Sequence, residues 1–93
     1  MTKTDANILF EIYKMQQKQN RNVYPEDLIN KQILSKRNGQ GKVKDLLSKG
    51  LLQEINERGA NVYRLSVKGM YEMCAYRDIK IEYERLVEAQ ALA

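Results

Sequence analysis

The sequence predicts a mainly α fold with a β-hairpin near its middle and a long helix at its end. Three observations predict it. Apolar residues recur at helical spacing from Ala6 to Met15. A glycine-centred turn, Glu57-Arg58-Gly59-Ala60-Asn61, is followed by the alternating stretch Val62-Tyr63-Arg64-Leu65, which is a hairpin pattern. From Val67 to about Gln90 no proline interrupts a stripe of large side chains.

The first helix is expected to start near Asp5, a good N-cap residue, and to run to about Gln19. Ala6, Leu9 and Tyr13 form one row, and Ile8, Ile12 and Met15 an adjacent one. Asn20-Arg21-Asn22 reads as a turn. Pro25 suits the first turn of a second helix, where its missing N–H costs nothing. Glu26 and Asp27 follow where the helix dipole favours acids. That helix extends to Lys31 or Gln32, with Leu28, Ile29 and Ile33 inward. A third helix runs from Ser35 or Arg37 to Lys49, buries Val43, Leu46 and Leu47, and stops at Gly50. Gly39 and Gly41 are poor helix residues, each costing about 1 kcal/mol against alanine. They place the start of the helix in question and also permit close backbone approach to a partner.

Leu51 to Asn56 reads as the first strand of the hairpin, with Arg58 near its tip. Ser66 caps the final helix. Its stripe, Tyr76, Ile79, Tyr83 and Leu86, repeats at steps of three and four, widened by Met70, Met73, Cys74 and Ile81. Ninety-three residues make one domain, divided into a body over 1–66 and a terminal helix over 67–93.

Composition excludes several chemistries. The chain has one cysteine and no histidine, so no Cys/His zinc site and no His-activated nucleophile can form. Glu26/Asp27 and Glu82/Glu84 read as helix surface. No catalytic residue, metal or cofactor is expected. No apolar run approaches a membrane span, and Met1 to Asn7 lack the apolar core of a signal peptide, so a cytoplasmic location is expected.

Charge points to a partner. Lys31 to Lys49 holds six of the sixteen basic residues and one acid, Asp45, a balance of +5, while everything outside it sums to −1. A concentrated basic face on a small helix is the electrostatic footprint of nucleic-acid binding. The plainer reading of a lysine run is a solvated helix face.

The order helix, helix, helix, hairpin, long helix resembles the winged helix-turn-helix plan, in particular its PadR- and MarR-like branches. The carrying residues are Lys49-Gly50-Leu51-Leu52 and Tyr63-Arg64-Leu65-Ser66-Val67-Lys68-Gly69. The resemblance implies a homodimer paired through the final helix, with Cys74, Tyr76, Ile79, Tyr83 and Leu86 at the interface. It implies DNA contacts from Ser35, Lys36, Arg37, Asn38, Gln40, Lys42 and Lys44 on or beside the recognition helix, and from Arg58 on the wing. Lysines neutralise phosphates, Asn38 and Gln40 can read adenine, and Arg37 can read guanine. A two-fold dimer implies an inverted repeat with half-sites about 34 Å apart.

The size and residue usage are also similar to small archaeal plasmid partition proteins of the AspA type, which bind a centromere palindrome. That likeness adds a partition adaptor protein as a further partner. The competing readings are a winged helix used only for protein–protein contact, a Tyr/Met-lined effector pocket, and an intersubunit disulfide through Cys74.

Overall fold

A computed structural model describes residues 1–19, 22–30, 34, 37 and 39–92. Its elements are α1 (Lys3–Gln19), α2 (Pro25–Asn30), α3 (Gly39–Ser48), β1 (Leu52–Glu57), β2 (Ala60–Leu65), α4 (Val67–Met73) and α5 (Arg77–Leu92). The carboxyl end of the second helix beyond Asn30, and Ile33 with it, lie outside the described residues.

Helix α1 is the spine. Ala6, Leu9 and Ile12 have no exposed surface, and α4, β2 and α5 pack around the helix. Both apolar rows expected from the sequence face inward. Its start differs from expectation. Thr2 is the cap: its hydroxyl accepts the Asp5 N–H at 3.1 Å, and its carbonyl accepts the Ala6 N–H at 3.0 Å. Asp5 is freed from capping and lies buried at 1% exposure.

Helix α2 begins at Pro25 as read. Asp27 Oδ2 reaches back to accept the Tyr24 N–H at 3.0 Å, the acidic half of a capping box. Just before it, Val23 pairs antiparallel with Tyr63 through two backbone hydrogen bonds of 2.8 and 2.7 Å. This bridge ties the α1–α2 connection to the hairpin.

Helix α3 ends in a Schellman turn. Gly50 at φ 73° donates to the Leu47 carbonyl, and Leu51 N–H donates to the Leu46 carbonyl, both at 3.0 Å. Leu46 and Leu51, which flank the turn, are both fully buried.

The hairpin register runs from Leu52 opposite Leu65 to Glu57 opposite Ala60. The turn is therefore the two residues Arg58 and Gly59, not the five-residue segment read from sequence. Both have positive φ, 52° and 84°, as a type I′ turn requires. Asn56 Oδ1 accepts the Gly59 N–H at 3.2 Å, and Asn56 Nδ2 donates to Asn61 Oδ1 at 3.3 Å.

The final helix is two helices. The chain breaks at Cys74-Ala75-Tyr76, where Ala75 and Tyr76 donate to the carbonyls of Glu72 and Met73 three residues back. Neither proline nor glycine causes the break. Tertiary contacts do: the elbow lets Met73 (0% exposed) and Ile79 (3%) both enter the core. It is held by Tyr76 OH donating to the Met1 carbonyl at 2.7 Å and by Lys3 Nζ 2.6 Å from Asp78. Ser66 caps α4 as read, accepting the Gly69 N–H at 2.9 Å.

Candidate nucleic-acid interface

The faces of α3 follow from its helical period. Gly39, Val43 and Leu46 point inward, Lys42, Asp45 and Leu47 are half-buried, and Gln40, Gly41, Lys44 and Ser48 are exposed. Arg37, just before the helix, is exposed as well. Arg37, Gln40, Gly41 and Lys44 thus line one outward stripe. The helix begins at Gly39, later than a start at Ser35 or Arg37. Gly39 sits inside the fold, where an added Cβ would lie 3.4 Å from Leu34 Cβ.

The basic segment divides into unlike groups. Lys44 and Arg37 face solvent. Lys42 does not offer a free ammonium: its Nζ lies 2.7 Å from Oδ1 of the buried Asp5. Lys49 Nζ stands 3.9 Å from the other Asp5 oxygen and 3.0 Å from Asp45. The hydrogen bond from Lys42 holds the Asp5 carboxyl below the usual carboxylate range against the opposing effect of burial. The same bond raises Lys42 above the usual lysine range. Lys42, expected as a phosphate contact, is thus engaged by Asp5 and ties α3 to α1. Ser35, Lys36 and Asn38 lie outside the described residues.

Across from α3 stands the hairpin. A cavity of about 290 Å³ separates them, lined by Gln40 and Lys44 on one side and Glu54, Asn61 and Tyr63 on the other. Arg58 is exposed at the hairpin tip, and Arg64 is exposed on β2 opposite Gln53. Glu54 and Glu57 are exposed on β1, and Glu57 accepts a hydrogen bond from Asn22 at 2.8 Å. The hairpin is thus of mixed charge, with one of its two arginines, Arg58, at the extreme tip.

Two segments noted in the sequence meet behind this face. Ser66 OH donates to the Gly50 carbonyl at 2.7 Å, Ser66 N–H to the Leu51 carbonyl at 3.2 Å, and Lys68 Nζ to the Lys49 carbonyl at 3.0 Å. Gly69 passes so close to the Leu51 carbonyl that no Cβ fits. This knot joins the end of α3 to the end of the hairpin and fixes their relative angle.

The expected interface stripe is largely spent within the single chain. Ile79 is buried, and Cys74, Tyr76, Tyr83 and Leu86 are half-buried against the chain's own core. The Tyr83 ring lies 5.1 Å from that of Tyr13. The apolar surface still open on α4 and α5 belongs to Val67, Tyr71, Ile81, Val87 and Leu92. A cavity of about 530 Å³ opens at the elbow, with Val67, Met70, Tyr71 and Cys74 along its wall. Burial pushes the Cys74 thiol above its ordinary range. Among the described residues no helix is long and apolar enough to cross a membrane, and no group of His, Cys, Asp and Glu could hold a metal ion.

No protein-family model matches the chain, and no curated protein matches it. Among solved structures, the crystal structure of a selenomethionine derivative of a MepR point mutant, from a multidrug-resistant S. aureus clinical isolate, is similar with a TM-score of 0.68 at 17% sequence identity. The match covers 97% of this chain and 65% of that one, so this chain spans just under two thirds of the length of that neighbour. A likeness at that identity carries the fold: three helices, a two-stranded wing and two further helices of which the last is long, a winged helix-turn-helix.

Proposed function

We propose that this chain works as a homodimer that binds duplex DNA at an inverted repeat, with α3 in the major groove and Arg58 of the wing against the flanking backbone. Its role is that of a plasmid-partition centromere binder or a local transcriptional regulator, with a partition adaptor protein as a partner in the first case. The observation that carries the reading is the outward stripe Arg37, Gln40, Gly41 and Lys44, presented beside a wing with a cationic tip. The apolar side chains left open on α4 and α5 supply a surface for the second copy.

A fluorescence-polarisation titration of labelled duplex at several salt concentrations tests it. If Arg37, Lys44 and Arg58 of two protomers each neutralise one phosphate, log Kd changes with log salt with a slope of magnitude about 5. Absence of salt-sensitive binding at low micromolar protein refutes the proposal. One observation favours a second reading, a winged helix that contacts only proteins: Asp5 engages Lys42 and Lys49, and Glu54 and Glu57 place acids on the wing. The same titration separates the two. A footprint that grows outward with protein concentration assigns the partition role, and a fixed footprint assigns the regulator.

A further inference from the structure

We infer that Gly41 is the seat on α3 for the sugar–phosphate backbone of a DNA strand, a refinement that rests on the DNA-binding reading above. Gly41 is a glycine the fold itself does not require. Gly41 lies inside α3 without positive φ, so alanine could adopt its backbone without strain. A Cβ built there meets nothing within 4 Å. Gly50 and Gly59 are accounted for by left-handed turns and Gly69 by close packing, whereas a Cβ at Gly39 would make ordinary contacts with Leu34 and Ile29 inside the fold. Glycine in a helix is less favourable than alanine, so its presence at an open helical position selects for something outside the chain. What it offers is a gap in the side-chain layer through which a partner reaches the helix backbone.

The surroundings indicate the occupant. Gly41 forms part of an open concavity of about 440 Å³ with Arg37, Lys42 and Asp45. Arg37 is exposed one turn before it, and Lys44 is exposed three residues after it. The acid in the concavity, Asp45, is paired with Lys49 at 3.0 Å, so the unpaired charge around the gap is positive. A DNA strand is an anion broad enough to need the gap, and its phosphates draw on both flanking cations.

The experiment compares the full chain with Gly41→Ala and Gly41→Gln, reading melting temperature and polarisation of a mixed-sequence 30-base-pair duplex at low salt. Both substitutions should raise the melting temperature, Gly41→Ala by about 2–8 °C. Both should weaken binding, by about tenfold for alanine and further for glutamine, because the strand is held away from Arg37 and Lys44. Native-like affinity in both variants overturns the inference while leaving the DNA-binding reading in place. A fall in melting temperature in both variants also overturns it, since the glycine then serves the fold. Failure of the native chain to bind any duplex removes the reading on which the inference rests.

Discussion

Lys42→Met removes the charge that faces Asp5 while keeping a side chain of similar length. The buried carboxylate is then left with Lys49 at 3.9 Å. Breaking a fully buried ion pair from one side costs about 3–5 kcal/mol. Here the Lys42 side chain is 35% exposed and Lys49 can swing closer, so the expected loss is about 2–3 kcal/mol. At roughly 4–8 °C per kcal/mol for a chain of this size, the melting temperature falls by about 8–24 °C. Asp5→Asn combined with Lys42→Met removes both charges and should recover to within about 1 kcal/mol of the native chain. The sign of the pH dependence separates this from a packing defect. In the native chain the lowered Asp5 pKa contributes stability above its unfolded value of about 3.9, lost as pH falls through the lower folded value. In Lys42→Met the hydrogen bond is gone and burial raises the carboxyl instead. Its contribution is then present below about 3.9 and lost as pH rises through the folded value. The gap between the two proteins should therefore open as pH rises from about 3 to 7. Urea denaturation at both ends measures it. A loss below about 0.5 kcal/mol at pH 7, or one that does not change with pH, refutes the tie between Lys42 and Asp5.

Arg58 occupies a left-handed position that asparagine tolerates better. Arg58→Asn should stabilise the fold by about 0.5–1 kcal/mol by thermal denaturation and lower the magnitude of the dimer's DNA salt slope by about 2. Gly69→Ala drives a methyl into the Leu51 carbonyl and should cost about 2–3 kcal/mol or prevent folding, as read by urea titration. Arg37→Ala with Lys44→Ala should lower the slope magnitude by about 4, and an unchanged slope would remove α3 from the interface. Sedimentation at tens of micromolar should give a dimer, and Tyr71→Glu with Ile81→Glu should yield a folded 10.9 kDa monomer.

How much of this was legible in the sequence depended on whether the signal was local. Pro25, Gly50 and Ser66 act through backbone geometry within a few residues, and each performs its expected task. The knot behind α3 joins the two segments that carry the family resemblance. Lys49-Gly50-Leu51 and Ser66-Val67-Lys68-Gly69 bond to each other, so the spacing in sequence reflects one contact in space. The elbow at Cys74 left no such trace. It lets Met73 and Ile79 both be buried in the core, and an unbroken heptad-like stripe concealed it. The Val23 bridge had a faint signal: Val23 is β-branched, and Tyr24 beside it is pushed toward extended backbone by Pro25.

Charge was the feature read least completely, because counting residues along a chain says nothing about which acids fold over them. The segment balance of +5 counts Asp45 but cannot include Asp5, far away in sequence and on another helix. In the fold Asp5 takes Lys42 directly and draws Lys49 partway, while Asp45 takes Lys49. Among its described residues the basic segment therefore divides in two. Lys42 holds the helix on α1, Lys49 pairs chiefly with Asp45 of α3 itself, and Arg37 and Lys44 face outward. A helix pinned in this way presents its outer stripe at a fixed angle to the wing, and under the proposed DNA-binding function that angle determines whether α3 and the Arg58 tip can reach one duplex together. Loss of the pin should thus weaken binding without lowering the salt slope, whereas loss of Lys44 should lower the slope without moving the helix.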